Sequence, residues 1–249
     1  MNFIHFLVVF VAGMVASSFG TLIGGGSLVT IPTLILLGLP PHTAIGTDRL
    51  GITGLGLAGW YKFHQKGMIH YKISFMVGVS TLVGSFLGAN LVLQINQTIL
   101  KKLIVVVTVC ILGLVAVKPQ IGLEKSKHGI KNRDYVIGIV TSLLVGIYGG
   151  FYGAMAGTFL LYILLFFFGQ TFLESAANAK IPSFMMTMMA GIVFAVHGAI
   201  HYSLTIALFM GCFIGSYIGA HYSDRIGNVW IRRLFIGIVL VMVIKLVLP

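Results

Sequence analysis

The chain contains two copies of one sequence pattern, and the second copy follows the first at a spacing of 131 residues. The motif GMIHY at 67–71 returns as GAIHY at 198–202. The motif GSFLGA at 84–89 returns as GSYIGA at 215–220, at the same spacing and without a gap. A duplication of this length predicts two equivalent units.

Composition places both units in a membrane. Hydrophobic residues make up 58% of the chain, charged residues only 8%, and the mean hydropathy is +1.04. A soluble domain could not cover such an apolar core with so few charged side chains. We therefore predict a first membrane repeat at 1–118, a cytoplasmic connector at 119–131 and a second membrane repeat at 132–249. In membrane chains, such a duplication places the substrate site between the two repeats.

The net charge and the cysteines point to no additional partner. The formal net charge is +11, but the basic residues are spread over predicted loops, which reflects membrane topology, and we expect no nucleic-acid partner. Cys110 and Cys212 lie in apolar runs without disulfide or metal-ligand spacing, so we expect no cofactor. No glycine-rich nucleotide-binding loop is present, which argues against direct ATP drive.

Ten apolar runs predict the helices. Most approach the ~20 residues that a helix needs to cross the hydrocarbon, but the second run of each half is much shorter. The first run belongs to the first repeat, so we expect it to remain as a membrane segment rather than to be removed as a signal peptide. The runs lie at 3–23, 27–38, 44–63, 73–94, 99–117, 135–154, 157–168, 175–196, 203–221 and 229–248.

The lysines and arginines predict how the two halves are oriented. If all ten runs cross the membrane, 12 of the 16 basic residues fall on one side. If each short run joins its neighbour in a single crossing, the split becomes nine against seven, so the positive-inside rule favours the first arrangement. We therefore predict an all-α integral membrane protein with two inverted-topology repeats of about five helical segments each, which include short broken helices.

Glycines precede both short runs, which is the pattern of a helix that begins inside the membrane. Such a start presents unbonded N–H groups and the positive end of the helix dipole, and both suit an anion. Close helix packing is the alternative role of these glycines. The predicted substrate-binding residues at the two starts are Gly24, Gly25, Gly26 and Ser27 in the first half and Gly157 and Thr158 in the second.

A cation recurs near the start of the next apolar run. Arg49 and Lys180 are equivalent under the duplication, and we predict that they compensate the charge of an anionic substrate. Thr47 and Asn178 would donate hydrogen bonds to it. Snorkelling of the two cations to the interface is the alternative. Asp48 should point away from Arg49, because neighbouring helix positions are about 100° apart, so we expect its partner to be Lys180 or a substrate-coupled proton.

The remaining repeated motifs have structural interpretations. The small-xxx-small spacing at 84–88 and 215–219 favours close helix packing. The His-Tyr pairs at 70–71 and 201–202 are typical of interface anchors. His197 has i, i+4 spacing with His201, but no third metal ligand is evident nearby.

Together these motifs resemble the TauE/SafE family of sulfite and organosulfur-anion exporters. The resemblance covers nearly the whole chain and rests on GGGSLVTIPTLILLGLPPHTAIGTDRL at 24–50, on SAANAKIP at 175–182, and on the repeated GMIHY and GSFLGA motifs. It implies a bacterial inner-membrane permease that moves small anions such as sulfite, sulfonates or sulfoacetate. The chain departs from the common pattern where Asp48 and Arg49 replace an Asn-Lys pair.

We predict a secondary transporter for a small sulfur-containing anion that works by alternating access, with protons as a candidate coupling ion through Asp48. An anion channel of the same fold is one alternative, and uphill uptake would separate the two. The other alternative is a metal-dependent intramembrane enzyme or maturation factor, which metal analysis would reveal. Its candidate ligands are His64, His70, His197 and His201.

Overall fold

The computed structural model describes residues 3–117 and 132–223 of the chain. Within these ranges the chain forms eleven helices and no strand, which confirms the all-α prediction. The connector and the last predicted run, 229–248, lie outside the described residues. The helices are α1 Phe3–Ile23, α2 Ser27–Leu36, α3 Pro41–Gly51, α4 Thr53–Gln65, α5 Tyr71–Leu93, α6 Gln97–Val117, α7 Asn132–Phe151, α8 Ala156–Phe167, α9 Phe172–Asn178, α10 Lys180–Val196 and α11 Tyr202–His221.

Five stretches are long and apolar enough to cross a membrane. They contain 19 to 25 residues each, which matches the ~20 residues needed to span the hydrocarbon. Helices are the expected form, because the bilayer core offers no water to bond free backbone groups. The chain is therefore a multi-pass membrane protein. The stretches are Phe3–Leu22, Tyr71–Leu93, Arg133–Phe151, Phe172–Val196 and Tyr202–His221.

Each half also contains a short apolar helix that is too short to cross. α2 has 10 residues and α8 has 12. At ~1.5 Å per residue, neither reaches across a hydrocarbon core of ~30 Å. Both helices are largely buried within the protein. The predicted short broken helices are thus present in both halves.

The third apolar run of each half is broken, which corrects the expected number of segments. The run at 44–63 divides into α3 and α4 at Ile52, and the run at 175–196 divides into α9 and α10 at Ala179. Pro182 explains the second break, because it cannot donate a backbone hydrogen bond to the carbonyl four residues earlier. The first half therefore contains six helices rather than five segments.

The outer helices of each half pack on those of the other half. α1 packs mainly on α11, and α5 packs mainly on α7. A Cβ added to Gly88 of α5 would collide with the carbonyl oxygen of Ile147, and one added to Gly215 of α11 would collide with that of Met14. The small-xxx-small motifs therefore allow backbone contact between helices, as membrane packing commonly does.

Hydrogen bonds between the halves are exchanged reciprocally. The His70 N–H donates to Asn178 Oδ1 at 2.6 Å, and the equivalent His201 N–H donates to Thr47 Oγ1 at 2.9 Å. In the core, Ser85 Oγ donates to the Met186 carbonyl at 2.6 Å, and Ser216 Oγ donates to the Leu55 carbonyl at 2.8 Å. All four pairs of positions are related by the spacing of 131. The halves thus exchange equivalent contacts, while their inverted orientation in the membrane stays a prediction.

Candidate functional site

The two short helices begin next to each other in the middle of the protein. The backbone enters them with positive φ angles at equivalent positions, +83° at Gly24 and +64° at Met155. A Cβ added to Gly24 would lie 2.5 Å from the backbone nitrogen of Thr158 and 3.1 Å from the carbonyl carbon of Gly157. Helix starts carry unbonded N–H groups and partial positive charge, so this junction favours an anion.

A small cavity of about 40 Å³ lies at this junction. Its lining comes from both halves, as the duplication predicted. Ile52, Leu55 and Met186 form an apolar part of its wall. The predicted site residues that line it are Gly24, Gly25, Gly26, Ser27, Arg49, Gly157 and Lys180.

Arg49 and Asp48 form a buried ion pair beside the cavity, with side chains that are 1% and 0% exposed. Arg49 Nη2 contacts the Asp48 carboxylate and donates to Ser27 Oγ at 2.5 Å. Ser27 Oγ in turn donates to Asp48 Oδ2 at 2.9 Å, and Thr30 donates to Oδ1. Arg49 Nη1 donates to the Gly149 carbonyl at 3.3 Å. Both carboxylate oxygens are therefore occupied.

This ion pair corrects the expectation that Asp48 points away from Arg49. The angle between helix positions fixes only the direction of the Cα–Cβ bonds, and the long arginine side chain bends back towards its neighbour. Gly153 leaves room for this conformation. It has a φ of +70°, and a Cβ there would collide with the guanidinium of Arg49.

Lys180 is the equivalent cation of the second half, and its charge is not paired. The residue is 5% exposed and lines the cavity. Its side chain passes close to Gly59, where an added Cβ would lie 2.8 Å from Lys180 Cδ. Within the described ranges, no ion pair or hydrogen bond joins the Lys180 ammonium to another residue. Ala179 stands where the first half has Asp48, which is the sequence signal for this difference.

Three of the predicted site residues have other contacts. Thr47 and Asn178 accept hydrogen bonds from backbone N–H groups of the opposite half, and their side chains do not line the cavity. Asn178 Oδ1 also accepts from Ser74 Oγ at 2.8 Å. Thr158 Oγ1 lies 3.6 Å from Met155 Sδ, just behind the cavity wall. In this conformation Thr47 and Asn178 join the halves instead of donating to a ligand.

Two hydroxyl groups at the cavity were missed in the sequence. Ser183 and Thr187 line it together with Lys180. They follow Lys180 by three and seven positions, so all three side chains share one face of α10. This spacing could have identified both residues from the position of Lys180 alone.

Among the described residues, the structure brings together no group of three or more His, Cys, Asp or Glu side chains that could hold a metal ion. His64 Nδ1 lies 2.8 Å from the Tyr71 hydroxyl, and His197 Nδ1 lies 2.8 Å from the Val193 carbonyl oxygen. The backbone N–H groups of His70 and His201 make the contacts between the halves described above.

Comparison with known proteins agrees with the architecture. A family model described as "Sulfite exporter TauE/SafE" matches residues 8–246. A probable membrane transporter protein of Haemophilus influenzae is 27% identical over 187 residues, which cover 75% of this chain and 72% of the relative. The probable membrane transporter protein YdhB of Bacillus subtilis is 30% identical over 148 residues, or 57% of this chain and 60% of the relative. YfcA of Escherichia coli, also a probable membrane transporter protein, is 28% identical over 117 residues, or 47% and 44%.

No solved structure matches the chain significantly. The family model, however, extends over nearly all of the sequence, including both short helices and the cavity between them. The chain therefore belongs to the TauE/SafE sulfite exporter family.

Proposed function

We propose that this protein is a secondary transporter of the inner membrane for a small sulfur-containing anion, and that Lys180 is the main counter-ion of the bound substrate. The observation that carries the proposal is the buried, unpaired ammonium of Lys180 in the cavity wall. Burying an ion without a partner costs several kcal/mol even after the surroundings relax. A ligand of opposite charge removes that cost, so the cavity favours an anion.

The helix starts support the same ligand class. The starts of α2 and α8 meet at the cavity with their positive dipole ends. A helix start stabilises an anion by about 0.3–1 kcal/mol when exposed and by up to ~2 kcal/mol when partly buried. The two helix starts would orient the bound anion, because their N–H groups can donate hydrogen bonds to the oxygens of a sulfur oxyanion. The cation of Lys180 would supply most of the affinity.

The size and the position of the cavity support a proposal of alternating access. About 40 Å³ has room for only a few water molecules, since one water needs roughly 10–15 Å³ of such a cavity. A sulfonate is several times larger than a water molecule, so this conformation must open before such a ligand can enter. The two halves each supply one wall, and a rocking motion of one half against the other would open the cavity to either side.

Asp48 is less suited to proton coupling than its sequence position indicated. Both of its carboxylate oxygens are engaged in this conformation by Arg49, Ser27 and Thr30. A proton could reach Asp48 only after this network had opened. Proton coupling through Asp48 therefore stays a prediction that needs a second conformation.

Ligand-induced thermal stabilisation of purified protein tests the proposal. At least one of sulfite, methanesulfonate, taurine and sulfoacetate should raise the unfolding temperature of the parent protein, because a ligand that binds only the folded state stabilises it by mass action. Lys180→Gln should abolish that shift. Lys72→Gln, which removes an exposed cation at the start of α5, is the matched control and should keep it. A shift that survives in Lys180→Gln, or no shift with any of these anions, would contradict the proposal.

A further inference from the structure

We infer that the cavity selects singly charged anions with a small apolar end, such as short alkyl sulfonates, and rejects anions of the same shape that carry two charges. The inference rests on the proposed function, since it concerns the charge and shape of the same ligand. It comes from the number of full charges at the cavity and from the polar and apolar side chains that form its wall.

Only one of the two cations in the cavity wall is available to a ligand. The charge of Arg49 is matched by Asp48, and its two terminal nitrogens are engaged by Asp48, Ser27 and the Gly149 carbonyl. Of the three guanidinium nitrogens of Arg49, only Nε has no hydrogen-bond partner among the described residues. Arg49 and Asp48 therefore act as a neutral pair.

When its amine is protonated, Lys180 leaves the site with one net positive charge. Apart from Lys180 and Arg49, whose charge is matched by Asp48, no ionisable side chain of the described residues lines the cavity. A single negative charge on the ligand would thus be balanced inside the protein. A second negative charge would be buried without a partner, which is strongly unfavourable where water is excluded. The two helix starts contribute only partial charges that fall off within one turn, so they cannot replace a second cation.

The shape of the site indicates where the charge of the ligand lies. Lys180 and Ser183 bring an ammonium and a hydroxyl group to the cavity wall from one face of α10, and the Thr187 hydroxyl on the same face donates to the Ser183 carbonyl at 2.8 Å. Ile52, the residue before α4, and Leu55, in the first turn of α4, both line the cavity. Met186 adds a third apolar side chain. An anion with oxygens at one end and a methyl or short alkyl group at the other would satisfy both parts of the wall.

Three ligands of almost identical shape show how the charge of a ligand, independently of its size, affects binding. Dimethyl sulfone is neutral, methanesulfonate carries one negative charge, and methylphosphonate carries two in mildly alkaline buffer. We expect methanesulfonate to raise the unfolding temperature of the full chain in detergent, and methylphosphonate to bind at least tenfold more weakly at equal ionic strength. Dimethyl sulfone should have no effect.

Changing the charge of the site should change the preferred ligand. Ser183→Lys adds a second cation to the cavity wall, and Asp48→Asn releases the charge of Arg49. Each should improve methylphosphonate binding relative to methanesulfonate by at least tenfold. Ser183→Lys keeps the buried ion pair, so it provides the test if Asp48→Asn fails to fold.

Failure of the charge selectivity can be distinguished from failure of the proposed function. Equal or tighter binding of methylphosphonate to the parent protein would overturn the inference and leave the proposed function intact. Stabilisation by sulfite but by none of the three probes would overturn it as well. A preference that stays unchanged in Ser183→Lys would contradict the charge argument. If neither sulfite nor any probe stabilised the parent protein, the proposed function would fail together with this inference.

Discussion

Arg49 and Lys180 occupy equivalent positions in the two halves, but their surroundings give them different roles. Arg49 is held by Asp48, Ser27 and the Gly149 carbonyl. Lys180 has Ala179 in place of an acidic neighbour and faces the cavity without a partner. Under the proposed function, the first residue stabilises the fold and the second binds the ligand.

This difference predicts opposite effects on stability. Arg49→Gln leaves the buried Asp48 carboxylate without a counter-charge and should destabilise the protein by about 3–5 kcal/mol. Lys180→Gln removes an unpaired charge, so it should leave stability unchanged or slightly higher. Thermal unfolding of both variants in detergent, without added anions, measures the contrast. The double variant Asp48→Asn, Arg49→Gln should recover part of the loss, and equal destabilisation by both single variants would contradict the assignment.

The sequence identified these charged residues but not their pairing. Arg49 and Lys180 were found because a cation recurs at one repeat position. Pairing between Asp48 and Arg49 depends on side-chain torsions and on the space beside Gly153, which helix periodicity does not contain. For the same reason, Thr47 and Asn178 were predicted at the ligand, whereas they hold the turns of the opposite half.

At the level of the helices, the junction of α2 and α8 gives two glycines distinct roles. A Cβ added to Gly24 would press on the backbone of Thr158, and the φ of +83° disfavours any larger residue. A Cβ added to Gly157 meets only Gly24 Cα, at 3.5 Å, which is an ordinary contact. Gly24 is therefore required by the fold, while Gly157 has room for a methyl group beside the cavity.

Gly157→Ala therefore tests the helix starts without disrupting the fold. Its stability should stay within about 1 kcal/mol of the parent, as for substitutions without a steric or charge conflict. The methyl group would lie between the two helix starts and should weaken anion binding severalfold, which titration of the thermal shift measures. Gly88→Ala is the contrasting variant, since it collides with the Ile147 carbonyl and should mainly lower stability. Unchanged affinity in Gly157→Ala would remove the start of α8 from the site.

The short helices were predicted from sequence more accurately than the breaks in the third apolar run of each half. Glycines and short apolar runs identify α2 and α8, because both features are visible in the order of residues. The break at Ile52 lies within a continuous apolar run, so hydrophobicity alone does not reveal it. Pro182 is a visible signal for the break at Ala179, since proline removes a hydrogen bond one turn earlier, but the run at 175–196 was predicted without a break.

At the level of the whole molecule, the reciprocal contacts between the halves constrain how the protein can move. The bonds from Ser85 to Met186 and from Ser216 to Leu55 lie at equivalent positions on either side of the cavity. With the predicted inverted orientation, a motion that opens one side would have its equivalent in the other half, which would open the opposite side. This is the symmetry that alternating access requires.

The predicted inverted orientation can be tested with one pair of equivalent positions. Gln65 and Val196 are related by the spacing of 131, and both are exposed at helix ends. In a chain whose native cysteines have been replaced, Gln65→Cys should react with a membrane-impermeant thiol reagent only from the cytoplasm, and Val196→Cys only from outside. This expected labelling rests on the excess of lysine and arginine on one predicted side of the membrane. Labelling of both positions from the same side would contradict inverted repeats.

Counterflow in proteoliposomes tests the transport mechanism and the role of Lys180 together. Vesicles that contain the parent protein and are preloaded with unlabelled methanesulfonate should take up radiolabelled methanesulfonate faster than vesicles without the preload, because an alternating-access carrier exchanges bound anions across the membrane. Lys180→Gln should abolish this uptake, and Lys72→Gln should retain it. Equal uptake into preloaded and empty vesicles would indicate a channel, and uptake by Lys180→Gln at the parent rate would contradict the assignment of Lys180 as the substrate's counter-ion.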